Sequence, residues 1–259
     1  MKHETYVHFH PDERPFVDRA VEWVERAAYA HELRRTDFLD PRQLEILTSI
    51  ANRYDVQLML SGGYEEAERK RAIIAPDYRV IDDEPAGIAL LAVTAGSQGH
   101  LELDHGDFLG ALLGLGIKRD RIGDLHIHPE LAHCLVAEEI AEYLNIHLRQ
   151  VHRVHVLTDI LPLSELRVAG VELEMMNLSV ASLRLDGIAS DVHRISRAKI
   201  VDPIRAGRCR VNWKVEEDPS AQLKAGDVIS IQGLGRFKVI TIEGMTKKGR
   251  LRVNVGKYS

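Results

Sequence analysis

Two cysteines in 259 residues, Cys134 and Cys209, are too few and too widely spaced for a disulfide framework or a thiolate metal site. They fit a reducing compartment. No uninterrupted apolar run approaches the roughly 18 to 20 residues that a membrane-spanning helix needs, and the charged start Met1-Lys2-His3-Glu4 lacks the apolar region of a signal peptide. A cytosolic chain without membrane contact is expected. Phosphate loops, Gly-x-Ser-x-Gly elbows and His-Glu-x-x-His pairs are also missing. Gly114-Leu115-Gly116 falls at a helix end, so it reads as a turn and not as a dinucleotide fingerprint. Candidate nucleophiles lack a base and an orienting partner, which leaves no visible catalytic engine and no cofactor site.

What is present is ordinary in amount and unusual in arrangement. Hydrophobic residues make up 45% and charged residues 28%, enough for two or three small domains with their own cores. Residues 182–259 hold 16 lysines and arginines against 8 acids, a net of +8, whereas the first 181 residues hold 18 against 31, a net of −13. Clustered cations bind a polyanion by releasing its condensed counterions, while an acidic body repels the same backbone. One oriented nucleic-acid face at the C-terminal end follows.

Leu185, Ile188, Val192 and Ile195 recur at helical steps and leave Arg184, Arg194 and Arg197 off the apolar face. Ser196 reads as the cap of a second short helix, and Asp202-Pro203 as a cap followed by proline at a first helical position, with Gly207 as the stop. From Cys209 to Val215, Arg210, Asn212 and Lys214 alternate with apolar neighbours, one face wet and basic and the other packed. Runs at 228–231, 236–242 and 251–255 have the same half-buried pattern between glycine-rich turns. Two short helices on a small twisted sheet are expected.

Arg184-Leu185-Asp186, Ser196-Arg197, Gly207 to Val211-Asn212 and Gly226-Asp227 stand in the order of the RNA-binding module first known from ribosomal protein S-four, the α-L motif, which residues 182–259 resemble. Val211-Asn212-Trp213-Lys214 with Glu217-Asp218-Pro219-Ser220 and Gly235-Arg236-Phe237-Lys238 resembles the YlmH family of bacterial proteins in particular. Residues 61–71, Ser-Gly-Gly-Tyr-Glu-Glu-Ala-Glu-Arg-Lys-Arg, and residues 107–119 are similar to that family as well. Trp213 replaces the glycine usual after Val-Asn; since an indole disfavours a turn at positive φ, the strand is expected to run through it.

The resemblance implies a non-catalytic protein that associates with ribosomal RNA of the large subunit and with transfer RNA, in quality control of stalled nascent chains. It implies phosphate contacts at Arg184 and Arg197, with Lys199, Arg210, Lys214, Arg236 and Lys238 extending the face, since guanidinium forks suit phosphate oxygens. A monomer without metal is expected. The alternatives are an RNA-modifying enzyme or a ribosome-tethered adaptor. Arg184-Leu185-Asp186 matches the middle of the pseudouridine synthase signature, but Leu183 stands at its first glycine and Ala189 at its hydroxyl position.

The first segment, residues 1–77, reads as mostly helical, with helices after Pro11 to Pro15 and after Asp40-Pro41 and a short strand at 56–60. Glu65 to Arg71 reads as a charged helix with Glu65–Arg69 and Glu66–Lys70 pairs, either a solvated face or a phosphate contact through Arg69, Lys70 and Arg71. Residues 78–163 read strand-helix-strand-strand-helix-strand, a ferredoxin-like unit shared by RNA-recognition domains, giving an α+β chain. Its central strands, 88–94 and 132–137, carry none of the aromatics on which such sheets stack bases. A scaffold is expected, or a ribosome contact through Lys118, Arg119 and Arg121. Residues 164–181 read as a connector in which Val171 to Met175 alternate like an edge strand. His126, His128 and His133 lie within eight residues, yet no second closely spaced ligand pair accompanies them, so surface or core histidines are expected.

Overall fold

The computed structural model describes residues 9–95, 103–170, 172–245 and 249–258. Two compact units emerge: residues 11–169 form one, and the chain from Gly170 onward belongs to the other.

The first unit opens with α1, Arg14–Ala30, which has proline in its first turn and buries Phe16, Val17, Ala20, Trp23, Val24 and Ala27 as one stripe. Asp40 caps α2, Pro41–Ala51, accepting from the Gln43 N–H while Gln43 returns the bond. Between and after them, β1 (Arg34–Arg35), β3 (Arg71–Pro76) and β2 (Val56–Ser61) form an antiparallel sheet in that order. All six residues of β3 are buried. This strand has no polar alternation, so its period gave no sign of it in a segment expected to be mostly helical.

A second sheet follows, with β4 (Ile88–Ala95), β5 (Ile122–Ile127), β6 (Leu131–Ala137), β7 (Gln150–Val151) and β8 (Val154–Leu161). Its order is β5-β6-β4-β8-β7, antiparallel at every pairing. Helices α3 (His105–Gly114) and α4 (Glu138–His147) cover one face, where Phe108, Leu112, Ala141 and Leu144 pack with Leu91, Val93, Cys134 and Val136. Each buried leucine, valine or phenylalanine among them contributes about 1.5–3 kcal/mol. Leu90 and Leu135 point the other way, yet both are 0% exposed. The first segment lies over them: a Cβ at Gly63 would stand 3.2 Å from Leu135, and one at Gly123 only 2.7 Å from the Phe38 ring. Among the described residues this sheet therefore has no open central face for bases.

The second unit is a six-stranded antiparallel sheet with β9 (Leu173–Val180), β10 (Cys209–Val211), β11 (Lys214–Val215), β12 (Val228–Ile231), β13 (Gly235–Met245) and β14 (Leu251–Tyr258). Their order is β11-β10-β12-β13-β14-β9. Thus β9, drawn from the stretch read as a connector, forms one edge; Val171 and residues 246–248 lie outside the described residues. Helices α5 (Leu185–His193) and α6 (Arg197–Arg205) cover one face, with Leu185, Ile188, Ile200 and Ile204 against Cys209, Ile229, Phe237 and Val253.

Three local expectations need correction. Residues 62–70 form a loop and not a helix. The carboxylate of Asp124 accepts the N–H groups of Glu68 and Arg69 and the Tyr64 hydroxyl, so the chain wraps that oxygen pair instead of bonding to itself. Pro203 lies inside α6 and does not begin a helix. Close to the helix end it removes a single backbone bond, and the buried Ile200 and Ile204 on either side hold the helix to the sheet.

The strand also breaks at Trp213. Asn212 (φ 50°) and Trp213 (φ 63°) are the two central residues of a hairpin that pairs Val211 with Lys214. Left-handed φ at a bulky residue costs about 1 kcal/mol or more. Contacts fix the turn: the Asn212 amide donates to Asp227 and its oxygen accepts from the Val228 N–H, while Arg210 donates to the Trp213 carbonyl.

Candidate nucleic-acid interface

At the start of α5 the chain is held by a second strand-like stretch. Leu185 N–H donates to Ala221 O and Asp186 N–H to Pro219 O, which satisfies the first donors of the helix. Asp186, in this first turn, is 3% exposed. Arg184 donates to both of its oxygens, at 3.1 and 2.8 Å, and Arg197, the first residue of α6, donates at 2.6 Å. Burial by itself would raise the Asp186 carboxyl, but the two guanidinium groups outweigh it and hold it at about 2. The arginine side chains remain 38% and 53% exposed. One buried carboxylate thus anchors two half-exposed guanidinium groups side by side, and the trio carries one net positive charge. Lys199 is exposed two residues further along α6.

The other expected cations do not all join them. Arg210 pairs with Ser230 and Ser230 with Arg236, and Val228 pairs with Lys238, so Arg210, Arg236 and Lys238 share one face of the sheet. Phe237 and Val239, on the alternate positions of the same strand, face the helices. The face bearing Arg210, Arg236 and Lys238 is therefore the one opposite α5 and α6. The tight turn at Asn212-Trp213 also separates Arg210 from Lys214, because Lys214 pairs with Val211 on the helix-side parity. An uninterrupted strand would have kept them together.

In the first unit most of the expected cations are engaged internally. Arg71 is 2% exposed; it donates to Thr36 O and Gly87 O and forms a bidentate pair with Glu139, so it is a core residue and no surface contact. Arg69 donates to Ile122 O and Phe38 O, and burial lowers its pKa. Arg119 donates to Ile122 O, and burial together with the nearby Arg69 charge pushes it down to about 10. Lys70 bonds Glu65 O, and Arg121 pairs with Asp37 at 3.2 Å. Lys118 is exposed. The conspicuous run at 61–71 thus builds the loop around Asp124.

The histidines have a structural use. His133 Nδ1 accepts from Arg167 N–H at 3.0 Å, His126 Nδ1 accepts from Ala169 N–H at 3.2 Å, and His128 Nε2 donates to Arg167 O. They hold residues 167–169 as a strap across the sheet. Arg149, His152, Arg153 and His155 around the β7–β8 hairpin, and Arg208 beside Arg210, are exposed as well and were not among the expected contacts. For the hairpin, the dense spacing of His147, Arg149, His152, Arg153 and His155 was the available signal.

The family model described as "YlmH, N-terminal" matches residues 12–79, and the one described as "Putative RNA-binding domain in YlmH" matches residues 85–165. The ribosome-associated protein quality control protein P2 of Bacillus subtilis strain 168 is 39% identical over 250 residues, spanning 96% of this chain and 97% of that protein. The chain belongs to the YlmH family. A solved YlmH structure, titled cell division protein ylmH from Streptococcus pneumoniae, superposes with a TM-score of 0.54 at 24% identity, covering 62% of this chain and 97% of that one. That likeness concerns the fold. The YlmH description attaches RNA binding to residues 85–165, where a scaffold or a ribosome contact was expected. In this YlmH chain the exposed cations of that stretch are Lys118 and the β7–β8 hairpin.

Proposed function

We propose that this YlmH-family chain is a non-catalytic RNA-binding protein of ribosome-associated quality control, working in the cytoplasm as a monomer on large-subunit ribosomal RNA and transfer RNA. The carrying observation is the Arg184–Asp186–Arg197 cluster: two guanidinium groups held at fixed spacing by a buried carboxylate lose little freedom when they meet phosphate oxygens. The order β5-β6-β4-β8 with both helices on one face supports reading residues 78–163 as ferredoxin-like, and α5 and α6 on their sheet support reading residues 182–258 as an α-L module. The relative's name, which concerns ribosome-associated quality control, points the same way.

The two thiols offer no support for a cysteine-based reaction. Cys134 and Cys209 are buried and pushed up to about 12, far from a nucleophilic thiolate. The test is cosedimentation of purified protein with large ribosomal subunits, comparing wild type with the Arg184→Ala plus Arg197→Ala variant. Loss of the protein from the ribosome fraction, with unchanged nucleosides in the recovered RNA, is expected. Retained cosedimentation, or new modified nucleosides, would overturn the proposal.

A further inference from the structure

The sheet face opposite α5 and α6 holds a feature that the helix-side cluster does not explain. Arg210, Ser230 and Arg236 form a row across β10, β12 and β13. The Arg236 Cζ lies 5.4 Å from the Trp213 ring centroid and 4.6 Å from that of Tyr258, so one guanidinium joins two aromatic rings at the end of the row. Beside them is a cavity of about 500 Å³ lined by Arg208, Arg210, Ser230, Gln232 and Arg236 together with glycine turns. Its described lining residues include no carboxylate. Trp213 reaches this place only because residues 212 and 213 adopt left-handed φ, a conformation that a bulky residue adopts at a cost and that here presents its indole beside the arginine row.

The chemistry selects a ligand. Arginines around an open cavity of nucleotide size call for phosphate, and two aromatic rings that share one guanidinium neighbour call for flat, uncharged π-systems. Paired RNA hides its bases, so the ligand class that offers both is an unpaired RNA strand.

The geometry points to a second RNA site on this face, where bases of a single strand stack on Trp213 and Tyr258 and a phosphate enters the Arg208–Arg210 cavity. It rests on the RNA-binding reading above and adds a ligand of different kind on the opposite side of the same sheet. One module can then hold a structured RNA with its helices and a neighbouring unpaired segment with its sheet.

The test uses the full chain, a labelled RNA hairpin and a labelled adenosine decamer, with fluorescence anisotropy at 50 mM salt. Trp213→Gly removes the ring while giving the turn the residue best suited to positive φ, so the fold is kept. The decamer affinity is expected to fall at least roughly tenfold in Trp213→Gly and in Arg236→Ala, as loss of one stacked base implies, with hairpin affinity within about threefold of wild type. Arg184→Ala plus Arg197→Ala should give the reverse pattern. No decamer binding by wild type, unchanged decamer binding by Trp213→Gly, or equal competition by a glutamate decamer peptide overturns the second site even if the hairpin is bound. Failure of wild type to bind the hairpin instead sinks the reading under Proposed function.

Discussion

Replacing Asp186 with asparagine separates two roles that the buried carboxylate plays at once. Asparagine keeps the shape and removes the charge, so it mimics the protonated acid. With the carboxyl held at about 2 against an ordinary 3.8, the charged form contributes about 2 kcal/mol at neutral pH. A depressed acid stabilises fully above its unfolded value, and the contribution is lost as pH falls through 2. The variant should therefore be less stable by that amount at pH 7, and the gap should close below pH 3.8. For a unit of roughly 90 residues this corresponds to a fall in melting temperature of roughly 10 °C, readable by calorimetry. RNA binding is the sharper readout, because the substitution raises the net charge of the trio from one to two. If charge alone governed affinity, binding at low salt would tighten and the salt slope would steepen. If the carboxylate positions the arginines, freeing two long side chains that must be re-ordered on RNA weakens hairpin binding by about tenfold at 150 mM salt. Tighter binding with a steeper slope would refute the positioning argument.

Three further outcomes follow from the first unit and the thiols. Burial holds the His126 and His133 imidazoles below their ordinary 6.5, so the strap contacts are complete above that pH and are lost as pH falls through the folded values; the protection of the Arg167 and Ala169 amides against hydrogen exchange should drop on acidification, their exchange slowing by less than the intrinsic rate does, and unchanged protection would contradict this. Arg71→Met should destabilise the 11–169 unit by roughly 3 kcal/mol or more, since Thr36 O and Gly87 O lose their donor inside the protein; a urea midpoint unchanged from wild type would contradict this. Cys134 and Cys209, pushed up to about 12, should stay unlabelled by iodoacetamide at pH 8 in the folded chain and label quickly in urea.

Local chemistry was legible from the residues. The caps and apolar stripes of α1 and α2, the stop at Gly207 and the helix and strand runs of residues 88–161 all follow from spacing that each segment carries within itself. So did the positive charge of the C-terminal stretch. What spacing missed was set by distant partners. Glu65 to Arg71 has helical charge spacing, but the Asp124 carboxylate, more than fifty positions away, captures its backbone donors. Trp213 reads as a strand residue, and only Arg236, Arg210 and Tyr258 from other strands show why it turns.

The sequence by itself determined that a basic module follows an acidic body and that Arg184 and Arg197 belong to it, because net charge and short-range periodicity need no third dimension. Only the tertiary structure decided which cations lie together. Hydrogen bonding across a sheet and burial of a single aspartate fix the direction of each guanidinium, and those partners lie far apart along the chain. Hence Arg184 and Arg197 converge, Arg210 and Arg236 face the other way, and Arg71 goes into the core.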